Sequence, residues 1–144
     1  MKIVSGEHVG RWVCKKLKAC YEEGAQGVGL ERSGEITAGV CYENWNGRSI
    51  MCHIVIDQPI TRSYLFAIFH YPFEYLGVDK IIVPVVETNT ESIRFVEKLG
   101  FSGEATLRGV HPDGDMILYT MKREDCRFLG ARYGQGLSSA AASA

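Results

Sequence analysis

Hydrophobic residues recur along the first half of the chain in two periods, and these predict its helices and strands. Val9, Val13 and Leu17 fall at helical spacing, with lysines on the other faces, so a short strand at 2–4 is followed by an amphipathic helix. The segments 27–32, 35–44 and 49–57 have the pattern of strands, because the turn pairs Ser33-Gly34 and Asn46-Gly47 separate them. This half therefore predicts a strand, a helix and a three-stranded antiparallel meander.

The helical period returns at residue 61 and ends at Gly77. Pro72 interrupts it, which predicts a kink or two short helices near Tyr71, because proline lacks the N–H of a helical turn. Residues 81–86 are apolar at every position, as in a strand covered on both faces. A helix between two such strands predicts a parallel, right-handed crossover. Pro84 within the second strand indicates an edge, a bulge or a gap beside it.

A polar-started helix follows from residue 89, and strands at 104–110 and 115–122 flank His111-Pro112-Asp113-Gly114 as a hairpin. The predicted order is strand, helix, three antiparallel strands, helix, strand, helix, hairpin. We expect one domain over residues 1–129, since 144 residues bury a core without disulfides. The glycine- and alanine-rich segment 130–144 is expected to be a flexible tail.

Composition narrows the classes of function. The net charge of −1 favours neither nucleic acid nor anionic membrane as a partner. Five cysteines without a Cys-x-x-Cys pair indicate reduced, mostly buried thiols and no metal site. No apolar run approaches the roughly 20 residues that span a bilayer, so a cytoplasmic location is the expectation.

Asn89-Thr90-Glu91-Ser92 opens the last helix and Glu97-Lys98-Leu99-Gly100-Phe101 closes it. The segment resembles the acyl-CoA-binding end of the GNAT superfamily of N-acetyltransferases. That resemblance implies an α/β fold: a GNAT-like mixed, mostly antiparallel central sheet with helices on both faces and a splayed parallel strand pair. The continuation through Leu107 and Arg108 is nearest the ribosomal-protein N-terminal acetyltransferase-like subgroup. The segment 71–78 also resembles small phage or prophage acetyltransferases.

The resemblance further implies acetyl-CoA as co-substrate. The phosphate-binding loop of the family corresponds to Gln58, Thr61, Arg62 and Ser63, although threonine and serine stand where the family has glycine or a small residue. Asn89, Ser92 and Val55 are the expected contacts of the cofactor arm. Capping of helix N-termini is the structural alternative for Thr61, Ser63, Asn89 and Ser92.

Catalysis requires a base for the acceptor amine and a donor for the leaving thiolate. His53 is the predicted base, with Asp57 and Glu43 as rivals, while His70 on a helix and His111 in a turn are less favoured. Many family members carry a tyrosine seven residues after the asparagine, where this chain has Val96. Tyr119 is the predicted substitute donor, and a structural strand tyrosine is its alternative.

The sequence thus predicts acetyl transfer from acetyl-CoA to a primary amine by direct attack. The acceptor would be an amine-bearing small molecule or a protein N-terminus. With one helix before the hairpin, a homodimer partner is expected to complete the acceptor wall. The alternative is a catalytically weak or inactive GNAT-fold module for protein interaction, which Val96 and the lost loop glycines favour.

Overall fold

The computed structural model describes residues 1–130 and Tyr133. The predicted flexible tail at 130–144 lies outside the described residues except for Gly130 and Tyr133. Its mobility and the domain boundary at residue 129 therefore stay predictions.

Within the described part of the chain, seven strands and three α-helices follow one another in the predicted order. They are β1 Lys2–Gly6, α1 Glu7–Leu17, β2 Gln26–Arg32, β3 Glu35–Glu43, β4 Ser49–Ile56, α2 Arg62–His70, β5 Lys80–Val86, α3 Thr90–Leu99, β6 Ser102–His111 and β7 Gly114–Lys122. The strands form one sheet in the order β1-β2-β3-β4-β5-β7-β6. Among these strands, β4 and β5 are the parallel neighbours and every other pair is antiparallel. The predicted mixed, mostly antiparallel sheet is confirmed.

Helices cover both faces of the sheet, as predicted. On one face, Val13 and Cys14 of α1 pack against Cys41 of β3. On the other, α2 and α3 share the larger core, where the Phe69 ring of α2 lies 6.1 Å from the Phe101 ring that follows α3. Alternation along a strand sends neighbouring side chains to opposite faces, so each strand contributes to both cores.

The turn at Ser33-Gly34 has the conformation that the sequence predicts. Ser33 and Gly34 have φ of 51° and 81°, and positive φ at both central residues is what a tight hairpin turn of type I′ requires. The turn joins β2 to β3, whose register pairs Val28 with Val40.

The interruption predicted near Tyr71 is present as a π-helical turn, Tyr71–Tyr75, that continues α2 without a break. Pro72 has no N–H for the carbonyl of Ile68 four residues earlier. The Tyr42 hydroxyl donates to that carbonyl instead, at 2.5 Å. The Leu76 N–H donates to the Tyr71 carbonyl at 2.9 Å, five residues back. Two separate short helices, the other form of the prediction, are not formed.

The parallel pair separates along its length. Backbone pairing joins Ser49 to Lys80 and continues only to Met51 and Ile82. Beyond these positions, the last residues of β4 and β5 are not paired with each other. Pro84 lies in the separated part, opposite Leu118 of β7. Its missing N–H therefore removes no hydrogen bond between β4 and β5. The predicted splayed pair is confirmed.

Candidate active-site cleft

A cleft of about 480 Å³ occupies the gap between β4 and β5. Ile54 packs with the core beneath α2, whereas Val55 packs with the core beneath α1. His53 has the same parity as Val55 and therefore faces α1. Because His53 and Ile54 both line the cleft, the cleft is accessible to side chains from both faces of the sheet.

The start of α3 forms one wall of the cleft. Asn89 caps the helix, and its Oδ1 accepts from the Ser92 N–H at 3.2 Å. Both side chains line the cleft with Phe95 and Val96 of the same helix. Gly100 ends α3 with φ of 109°, a conformation that suits glycine. The predicted capping of α3 is present in a position that also borders the cleft.

A groove of about 360 Å³ continues the cleft toward the end of β4. It shares Ile54, Asn89 and Ser92 with the cleft, and Val55 lies along it. Its far end is marked by Asp57, whose carboxylate is 2.8 Å from the Lys16 ammonium at the end of α1. The structure thus brings Val55, Asn89 and Ser92 together along one continuous channel.

The predicted phosphate loop lies at the start of α2 and outside the linings of the cleft and the groove. Thr61 caps α2, since its Oγ1 accepts from the Tyr64 N–H at 3.1 Å. Ser63 Oγ lies 3.1 Å from the same Oγ1. Gln58 and Arg62 are solvent-exposed. Capping by Thr61 is present, and phosphate binding by these four residues stays a prediction.

His53 and Glu43 form a close pair on adjacent strands. The distance from His53 Nε2 to Glu43 Oε1 is 2.6 Å, and the side chains are 20% and 12% exposed. An ionised carboxylate only accepts hydrogen bonds, so in the neutral ring Nε2 carries the hydrogen and Nδ1 has the lone pair. The sequence analysis named Glu43 as an alternative candidate for the base. In the structure, the Glu43 carboxylate instead bonds to the His53 ring.

The tip of the β6–β7 hairpin reaches the cleft, which the sequence did not indicate. His111, Asp113 and Met116 line the cleft together with the start of α3. The Asp113 N–H donates to His111 Nδ1 at 3.0 Å. The hairpin tip reaches the cleft because the β5–β7 register pairs Val86, at the end of β5, with Met116, near the start of β7. By contrast, the His70 ring stacks on Phe66 at 5.0 Å and lies outside the cleft lining.

Tyr119 is buried beneath α3 and does not line the cleft. Its hydroxyl donates to Glu97 Oε2 at 3.3 Å, and burial together with the Glu97 charge raises its pKa. Val96 of the same helix is also buried but does line the cleft. The wall of α3 at this point therefore offers the cleft an apolar surface.

The thiols lie where the sequence predicted small hydrophobes. Cys14, Cys41 and Cys52 are buried, and Cys20 is exposed. Burial raises the pKa of Cys41 to about 12, so the thiol is not ionised near neutral pH. Across residues 1–130 and 133 there is no group of three or more His, Cys, Asp or Glu side chains fit to hold a metal ion. The same residues include no helix long and apolar enough to cross a membrane.

Solved structures with the same architecture are acetyltransferases. A chimera of the spermidine N-acetyltransferase SpeG from Vibrio cholerae and hSSAT superposes with a TM-score of 0.67 at 16% identity, covering 90% of this chain and 100% of that chain. Mutant forms of the Vibrio cholerae spermidine/spermine N-acetyltransferase SpeG give 0.61 at 18% identity, over 77% and 73%. A GNAT-family acetyltransferase from Bacillus anthracis gives 0.58 at 18%, over 79% and 72%. No protein-family model and no curated protein sequence matches the chain. The chain has the GNAT acetyltransferase fold.

Proposed function

We propose that this protein is an N-acetyltransferase that moves an acetyl group from acetyl-CoA to a primary amine by direct attack. The observation that carries the proposal is the cleft through the splayed β4–β5 pair, with the start of α3 on one side and His53 on the other. An extended thioester arm and an attacking amine require a channel of this kind, open to both faces of the sheet.

The residues present fit acetyl-CoA in two ways. The cleft and its groove are lined largely by apolar side chains, with Asn89 and Ser92 as polar contacts along them, which suits a pantetheine arm with two amides. The exposed start of α2 carries Arg62 and unpaired helical N–H groups, which suit a pyrophosphate. Gln58, Thr61 and Ser63 belong to the same proposed phosphate end.

His53 is the proposed base. With Nε2–H held by Glu43, the lone pair of Nδ1 accepts the proton that the amine loses as its nitrogen bonds to the acetyl carbon. The C–S bond then breaks and the thiolate leaves. The sequence-based assignment of Tyr119 as donor to that thiolate is untested, and because its hydroxyl is engaged with Glu97 the proposed mechanism does not use it.

Calorimetry with acetyl-CoA tests the co-substrate, and a thiol-release assay over a panel of amines tests the reaction. Polyamines and peptide N-termini belong in the panel, since two of the similar structures are named as spermidine N-acetyltransferases. Absence of binding at high micromolar acetyl-CoA would refute the proposal. A cytoplasmic location and a homodimer remain part of it, and sedimentation tests the dimer.

Two variants test the base. His53→Ala is expected to lower kcat by roughly 10²- to 10⁴-fold, the range of a general base. Glu43→Gln keeps an acceptor oxygen but removes the charge. A hydrogen bond to a charged group contributes about 1.5–3 kcal/mol, so kcat/KM should fall by roughly 10- to 150-fold. His8→Gln, at an exposed position outside the cleft, is the control. Full activity in His53→Ala would remove its role.

A second function is a binding module without catalysis. Val96 supports it, because the α3 wall lacks a proton donor there, and so does Trp45, which is 55% exposed. Acetyl-CoA binding without turnover of any amine in the panel would favour this function over the first.

A further inference from the structure

The cleft contains a hydrogen-bond donor that the predicted chemistry did not use. Amine attack on a thioester places negative charge on the carbonyl oxygen and then on the leaving sulfur, and a donor held in place lowers that barrier. Val96 provides no polar hydrogen, and Tyr119 does not line the cleft. His111 lines it from the hairpin side.

The hydrogen bond from the Asp113 N–H fixes which nitrogen of His111 carries hydrogen. A ring nitrogen that accepts cannot hold a hydrogen of its own, so the neutral ring has its hydrogen on Nε2. The neutral His111 ring therefore offers the cleft an Nε2–H donor.

The hairpin backbone holds this ring at the cleft. The Glu87 N–H at the end of β5 donates to the Asp115 carbonyl at 2.8 Å, and Asp115 Oδ1 accepts from the Gly109 N–H at 3.2 Å. Gly114 has φ of 141°, and a Cβ there would meet Glu87 Cγ at 2.9 Å. These contacts tie the turn that contains His111 to the end of β5.

The neutral rings of His53 and His111 therefore share the Nε2–H tautomer but are engaged through different nitrogens, so they present opposite hydrogen-bonding atoms to one cleft. His53 has Nε2–H on Glu43 and a free Nδ1 lone pair, whereas His111 accepts at Nδ1 and keeps Nε2–H. One ring is built to take a proton and the other to donate a hydrogen bond. The two roles match the two requirements of amine attack on a thioester.

We propose that His111 Nε2–H stabilises the negative charge that develops on the reacting thioester. This inference rests on the proposed function. The amine nitrogen bonds to the acetyl carbon, its proton moves to His53 Nδ1, and the C–S bond breaks with the electron pair on sulfur. The thiolate then takes a proton from solvent. His111 neither gains nor loses a proton and remains a donor throughout.

Kinetics with acetyl-CoA and the best amine of the panel test the donor. His111→Ala is expected to lower kcat by roughly 10²- to 10³-fold, the cost of removing one such donor. The Kd for acetyl-CoA from calorimetry should stay within about threefold, because the charge is absent before attack. His111→Gln, whose amide N–H can replace Nε2–H, should recover at least tenfold of the loss. His8→Gln should have wild-type activity.

Nitrogen NMR of the full chain gives a readout independent of turnover. The His111 ring should show hydrogen on Nε2 and a bare Nδ1 at neutral pH, and a hydrogen on Nδ1 would overturn the inference. If the wild type is active and His111→Ala leaves kcat unchanged, the inference about His111 is also overturned. In that case the proposed function stands. A wild type that fails to bind acetyl-CoA would overturn the proposed function and the His111 role together.

Discussion

Close packing of α1 on the sheet gives a prediction whose size follows from the coordinates. Gly27 lies beneath α1, where a Cβ would stand 2.7 Å from the Gly10 nitrogen and 2.8 Å from Val9 Cβ. Both atoms are fixed to the helix backbone, so Gly27→Ala must displace α1. Overpacking of this kind costs about 1–3 kcal/mol, and the loss of glycine flexibility in the unfolded chain returns about 0.4–1 kcal/mol. With mid-range values of both terms, the free energy of unfolding should fall by about 1–2 kcal/mol.

Urea unfolding followed by circular dichroism measures this change, and calorimetry should show a Tm lower by roughly 3–8 °C. Gly103→Ala is the matched control, because it also changes a strand glycine but its Cβ would meet nothing nearer than Ile117 Cγ2 at 3.6 Å. That variant should be as stable as the wild type or up to about 1 kcal/mol more stable. Equal stability of the two variants would refute the packing argument.

Three further predictions concern single side chains. Tyr119→Phe should lower stability by about 1 kcal/mol through its lost hydrogen bond with kcat within about twofold; a hundredfold loss of kcat would assign it the acid role instead. At pH 8 a thiol reagent should label the exposed Cys20 within minutes. Cys41 is buried and has a pKa of about 12, so it should react only after denaturation. Mass spectrometry of the labelled peptides measures both. The hydrogen bond from Lys80 lowers the pKa of Glu104. Its stabilisation is therefore present above the unfolded carboxyl pKa and lost as pH falls through the lower folded value, so Glu104→Gln should reduce Tm at pH 7 and not at pH 2.5.

Local signals in the sequence were enough to predict the elements and their order. Ser33-Gly34, Asn89 and Gly100 each specify one backbone conformation, and the structure has all three. Pro84 indicated that its strand was unusual, and the separated ladder is the reason. Each of these signals acts between residues that are close in sequence. A single sequence is therefore enough to recognise them.

The partners of the site residues depend on register, which the sequence does not specify. Glu43 bonds to His53 because β3 and β4 pair Cys41 with His53, placing Glu43 diagonally across on the same face. A shift of one residue would have sent it to the other face. His111 reaches the cleft for a similar reason, since the β5–β7 register sets how far the hairpin tip extends. The structure brings His53 and the less favoured candidate His111 to one cleft, whereas the sequence did not indicate that Glu43 would bond to His53.

The separated strands explain why the two sides of the cleft carry different chemistry. A continuous β4–β5 ladder would close the sheet and isolate the α3 side from the α1 side. Because pairing stops at Met51 and Ile82, the thioester arm proposed to lie beside α3 has access through the sheet to His53. The cleft lining also includes Leu17 and Ala19, at and just beyond the end of α1, and His111 and Asp113 of the hairpin tip. Under the proposed function, we expect acceptor choice to depend on these two segments and the arm to lie along α3 and the groove beside β4.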